Sequence, residues 1–249
     1  MSEWTGAAAQ PISPPAESRP YPFWNYQDLI LFLGAGLPSL ALSLVLMIAL
    51  QRYLPGRATP LLVGQFLGYG FWFLSLYAIL RLRYGQPFWS SLAWGGPKRR
   101  IAACLFLGPA VALGLAILGS ALQAPQTPAP MRELLSDRWS IAAVGLFATT
   151  FGPLCEELAF RGFLLPLLSR SFGAAAGVAL SALPFALLHG PQYSWSPVHV
   201  LLVGAAGVCF GAARIVTGST AAAAGMHATY NLTFYTAFLI QEGNLLNPW

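Results

Sequence analysis

Apolar residues in this chain gather in long runs separated by short polar connections. A helix needs about 20 such residues to cross a hydrocarbon core about 30 Å thick. Runs near that length extend from Leu29 to Leu50, Leu61 to Leu80, Ile101 to Leu122, Trp139 to Leu168, Phe172 to His189, Val198 to Ile215 and Ser219 to Ile240. The pattern predicts an all-α fold, a polytopic membrane helix bundle of about seven to eight transmembrane helices. It divides into a disordered, Pro-rich cytoplasmic tail (1–28), N-terminal transmembrane helices (29–138), a second group of helices (139–240) and a C-terminal tail (241–249).

Composition narrows the class. Charged residues make up 8% of the 249 positions and apolar types 56%, against roughly 25% charged in an ordinary soluble domain, so an integral membrane protein is expected. Pro11, Pro14, Pro15, Pro20 and Pro22 predict a disordered or extended start up to Tyr26. No basic start leads into a short apolar core as in a secretory signal, which leaves targeting to the first transmembrane helix. Cys104, Cys155 and Cys209 lack CxxC spacing and read as buried thiols.

The net charge of +5 acts as an orientation signal. Arg81, Arg83, Lys98, Arg99 and Arg100 form the densest basic stretch, and basic connections stay in the cytoplasm, which predicts a cytoplasmic N-terminus. Seven crossings would leave the C-terminus on the opposite face, and an eighth or re-entrant segment would return it. The charge also implies attraction to anionic membrane lipid, with no nucleic-acid partner. Phe88 to Trp94 reads as an amphipathic segment in the interface. Gly173-x-x-x-Gly177 and Gly207-x-x-x-Gly211 read as sites of close helix approach.

Against this background Glu156 and Glu157 stand out. An ionisable side chain at mid-membrane costs about 2.5 kcal/mol or more, which makes a function the default explanation. Glu157 and Arg161 are four apart and face each other on a helix, whereas Glu156 lies about 100° around the axis. Gly152-Pro153 makes the fourth run a candidate for two pieces, with Pro at the start of the second and free N–H groups there to favour a carboxylate. Counting from the cytoplasmic ends of their runs puts Glu156, His189, His227 and Asn231 at roughly 12 to 24 Å depth. Phe185 shares a helix face with His189, as His227 does with Asn231. A carboxylate base, two imidazoles and an amide donor around one water-lined cavity form the inventory of amide hydrolysis. Plainer readings exist for a single histidine, as an interhelical hydrogen bond, and for Glu157 with Arg161, as an ion pair; Glu156 has none. His199 reads as interfacial, Arg214 as a cytoplasmic helix-end anchor, and Tyr193 and Trp195 as part of an aromatic belt.

Glu156-Glu157-x-x-x-Arg161, Phe185-x-x-x-His189 and His227-x-x-x-Asn231, in this order on successive helices, resemble the signature of the CPBP family. That family comprises the type II CAAX prenyl endopeptidases and the bacteriocin-processing or self-immunity proteins. The resemblance covers Trp139 to Ile240, making 139–240 the catalytic core; the earlier helices match only in being hydrophobic. It implies an intramembrane endopeptidase, open toward the cytoplasm, acting on a membrane-associated or lipidated peptide or protein. By analogy Glu156 and His189 activate water, His227 and Asn231 hold the oxyanion, and Glu157, Arg161 and Phe185 support the site. No cofactor is expected. The alternative is zinc, with Glu156, His189 and His227 as ligands and a fourth position open; Asn231 is a poor zinc ligand and no HExxH pair occurs, which favours the glutamate mechanism. A non-catalytic membrane scaffold or immunity factor is the other reading, and a transporter with a midplane ion site would show paired broken helices that are missing here.

Overall fold

The computed structural model describes residues 20–125 and 133–241. Most of the predicted N-terminal tail, Arg132 and the C-terminal tail beyond Gln241 lie outside the described residues. The bundle is all-α: α1 (Tyr26–Leu50), α2 (Ala58–Arg83), α3 (Phe88–Ser91), α4 (Lys98–Ala121), α5 (Arg138–Phe172), α6 (Ala174–Leu188), α7 (Pro197–Thr217) and α8 (Thr220–Gln241). By length and composition α1, α2, α4, α5 and α7 can cross a membrane. The other two predicted runs fall short for different reasons. Helix α6 has only 15 residues, whereas α8 has 22 but carries His227, Thr229, Asn231 and Thr233 among its apolar positions.

Helix α5 does not break at Gly152-Pro153, contrary to expectation. It runs through 35 residues, because the turn widens to a π-helix at Phe147–Phe151 and again at Leu158–Leu164. Each wide stretch leads into a segment with proline in its first turn, Pro153 and then Pro166. The wider winding relieves the clash of a proline ring with the turn before it. No helix N-terminus therefore exists near Glu156 to stabilise its charge.

Two clusters make the core. In the first, Trp24, Phe32, Leu76, Leu80 and Leu92 pack on Phe163 and Leu167 of α5. The end of the predicted tail is part of it: Trp24 is fully buried, stacks on Phe163 at 5.2 Å and donates its indole N–H to the Phe163 carbonyl at 3.0 Å. Residues 20–25 are thus non-helical but packed down. The segment from Phe88 to Trp94 is equally divided, since Trp89 is exposed whereas Leu92 is buried against Gly162 of α5. The second cluster joins Cys104 of α4, Phe185 of α6, Phe210 of α7 and Met226 of α8.

Close approach uses some of the expected glycines. Gly177 sits on Ser169, Gly207 on Phe185 and Ala182, and Gly211 on Val178. Gly173 serves differently. At φ +84 it makes the reversal from α5 to α6, a left-handed backbone that favours glycine.

Candidate active site

Three helices bring the predicted residues to one place. Glu156 and Glu157 come from the short α-helical stretch between the two π segments of α5, His189 caps the C-terminus of α6, and His227 and Asn231 lie on α8. Glu156 Oε2 is 3.9 Å from Nε2 of His189 and 3.9 Å from Nε2 of His227. Those separations are too long for direct hydrogen bonds and suit a bridging water. Glu156 and His189 keep 22% and 23% of their side chains accessible, but His227 only 4%. The site is thus open on the Glu156–His189 side and closed behind His227.

Both imidazoles are held by their other nitrogen. At the end of α6 the last turn tightens, so the His189 N–H bonds to Ala186 instead of Phe185. That frees the Phe185 carbonyl, which accepts from His189 Nδ1 at 2.8 Å. His227 Nδ1 donates to Glu157 Oε1 at 3.0 Å. In each ring the Nδ1 hydrogen bond fixes the orientation and turns Nε2 toward Glu156.

Behind His227 lies a buried charge network. Glu157 and Arg161 are both inaccessible, and Arg161 Nη1 donates to the same Glu157 Oε1 at 2.9 Å. The spacing predicted the pair. It did not reveal that Glu157 also holds His227, a contact spanning 70 positions. Arg161 further donates through Nη2 to the Gly207 carbonyl at 2.7 Å and lies over the Phe185 ring at 4.5 Å. Phe185 packs between the two imidazoles: its ring is 4.6 Å from that of His189 and 5.8 Å from that of His227. Phe210 was missed by the sequence reading. It stacks on His227 at 4.4 Å, yet nothing in its apolar surroundings on α7 distinguishes it from ordinary core.

Asn231 is tied to the π turn. In that turn the Gly152 N–H bonds five residues back to Phe147. The same register would pair the Ala148 carbonyl with residue 153, a proline without an N–H. Asn231 Nδ2 fills the vacancy, donating to Ala148 at 2.7 Å. One amide hydrogen is thereby committed, and the second is left for other work.

The metal alternative meets a geometric difficulty. Donors bound to zinc at about 2.0 Å on a tetrahedron lie about 3.3 Å apart, and the Glu156 separations are wider. Among the described residues no group of three or more His, Cys, Asp or Glu side chains is placed to hold a metal ion. The residues are of the right kind, so zinc stays the alternative to a metal-free site.

Remaining candidates fall elsewhere. His199 stacks on Tyr193 at 4.8 Å and bonds Ser196 Oγ at 3.0 Å, away from Glu156. Trp195 is exposed, and Cys155 is buried. Arg214 lies in the last turn of α7, is 7% exposed and donates to Thr220 Oγ1 and to the Tyr21 hydroxyl.

Residues 138–233 match the family model of type II CAAX prenyl endopeptidase Rce1-like, a stretch that holds all the side chains just described. That stretch is thus similar to the CAAX endopeptidase family. No curated protein and no solved structure matches the chain. The CAAX endopeptidase match begins at α5 and omits α1 to α4. With five helices apolar enough to span a bilayer among the described residues, the chain is an integral membrane protein whose second half is similar to a protease family.

Proposed function

We propose that the chain hydrolyses a peptide bond of a membrane-associated peptide or protein, lipidated or not, by a metal-free glutamate mechanism. The observation that carries this reading is the approach of one Glu156 oxygen to both imidazole Nε2 atoms at 3.9 Å. A water between Glu156 and His189, on the accessible side, would lose its proton to the carboxylate while His189 orients it. Attack on the scissile carbonyl puts negative charge on its oxygen. An N–H on His227 Nε2 and the uncommitted N–H of Asn231 would hold that charge. Arg161, bonded to the same Glu157 oxygen, holds that side chain in place for His227. The proton on Glu156 then passes to the leaving amine as the bond breaks. The cavity opens toward the cytoplasm in this scheme, with the N-terminus on the same side.

The test is cleavage of quenched fluorogenic peptides, prenylated and unprenylated, by purified protein in detergent. Glu156→Gln should lower the rate by roughly 10²- to 10⁴-fold, the range of a lost general base, while inversion of the peptide panel's ranking is not expected. A strong chelator should leave wild-type activity unchanged; loss to chelator and recovery with zinc would move Glu156, His189 and His227 to metal ligands. Equal behaviour of wild type and Glu156→Gln would favour the scaffold reading.

A further inference from the structure

A second polar site lies at the other end of α5. A cavity of about 290 Å³ is lined by Tyr21, Ser169, Arg170, Arg214 and Ile215, among others. Arg170 donates to the carbonyls of Pro22 and Trp24, and Arg214 to Thr220 Oγ1 and the Tyr21 hydroxyl. All those acceptors are neutral. A third guanidinium, Arg100, reaches the Val216 carbonyl next to Ile215.

No acid among the described residues answers these charges. Asp28 is paired with Arg83, Asp137 caps α5, Glu156 and Glu157 belong to the candidate active site, and Glu133 precedes the opposite end of α5. Arg161 shows the contrast, since the same fold gives that buried guanidinium a carboxylate. Arg214 is more than nine-tenths buried with none among the described residues, and a buried charge lacking a counter-charge is costly. Its Nη1 has no hydrogen bond among the described residues. Ser169 lines the same wall, with its hydroxyl turned to Gly177 of α6.

We infer that this cavity binds a phosphate-bearing anion, with Arg170 and Arg214 as its cationic walls and the Tyr21 hydroxyl as a further donor. Guanidinium forks match phosphate oxygens, and the volume suits one headgroup phosphate. The anion is either the headgroup of an acidic lipid or free phosphate. This inference is independent of proteolysis.

Native mass spectrometry of the purified full chain, offered equal phosphatidylglycerol and phosphatidylcholine, tests the lipid source. Retention of the acidic lipid should be favoured roughly tenfold, and Arg170→Gln with Arg214→Gln should abolish the preference. Inorganic phosphate titrated against chloride at matched ionic strength tests the free anion through a rise in Tm that the double variant lacks. Ile215→Trp, which fills the cavity and keeps both charges, should weaken whichever ligand binds. Neither lipid preference nor phosphate response in the wild type overturns the proposal, without reliance on a variant that folds. Binding unchanged in both the double variant and Ile215→Trp overturns it as well.

Discussion

The pair α1–α2 and the group α5–α8 are held together by different physics. In α1 and α2 the most apolar stretches are 11% and 22% buried, against 39% in α5 and in α7. The first pair meets through shape: Phe32 stacks on Trp72 at 4.6 Å, and Gly64 and Gly68 bring α2 onto the backbone of Ser43 and Ser39. The second group meets through buried polar atoms, with Arg161, Glu157, His227 and the Gly207 carbonyl in one network. Lipid is as good a neighbour as leucine, so apolar faces alone do not choose a partner in a membrane. A buried carboxylate does, because it must find its donors.

The largest expected effect comes from breaking the polar half. Arg161→Met leaves Glu157 buried with only His227 as donor, and removing one member of a buried pair costs about 3–5 kcal/mol. Thermal unfolding in detergent should show it. Arg161→Lys should recover part of that loss through its charge, but lacks the fork that reaches Glu157 and Gly207 together. A Met variant as stable as wild type would show that the network does not hold α5 to α7 and α8. The corresponding break in the apolar half is milder. A Cβ at Gly68 would stand 2.8 Å from the Ser39 carbonyl and closer still to Ser43 Oγ, so Gly68→Val should cost about 1–3 kcal/mol as overpacking. Peptide cleavage at a temperature where both variants are folded sharpens the contrast: Arg161→Met should lose rate through a loosened His227, and Gly68→Val should keep it.

The same division explains what was legible in the sequence. Glu156, Glu157, Arg161, His189, His227 and Asn231 announced themselves because polar residues are conspicuous in apolar runs, and the i, i+4 spacing of Glu157 and Arg161 led directly to a bond of 2.9 Å. Pairings across the fold were not legible. Glu157 with His227, and Asn231 with Ala148, depend on how helices are rotated against each other and on a π turn that no spacing rule contains. The unbroken course of α5 past Pro153 has the same cause. The burial of Arg214 at the end of α7, and its bond to Tyr21 from a segment that composition marks as tail, were not legible either. The apolar helices were legible as helices only, and two of seven proved too short or too polar to qualify as spans on composition alone.

The two halves are joined by a small polar clasp, and loosening it is the mildest of the tests. Asp137 caps α5 by accepting from the N–H groups of Trp139 and Ser140 at 3.0 and 2.9 Å. It also accepts the Arg57 N–H at 3.1 Å, while the Ser140 hydroxyl accepts the Ala58 N–H at 2.8 Å. The start of α2 is thereby fastened to the start of α5. Partial burial pushes the Asp137 carboxyl up, but the hydrogen bonds from Ser140, Arg57 and Trp139 together outweigh it and hold the group below its ordinary value. A carboxyl depressed in the folded state contributes its full stability above the unfolded pKa of about 3.9 and loses it as pH falls through the lower folded value. Asp137→Ala should therefore cost about 1 kcal/mol at neutral pH, the usual worth of an N-cap. The gap between variant and wild type should narrow as the pH drops below the carboxylate range. Unfolding curves at neutral and acid pH check both parts. A gap that stayed constant with pH would mean that the clasp works through packing of α2 on α5, leaving the charge of Asp137 without a part in joining the two halves.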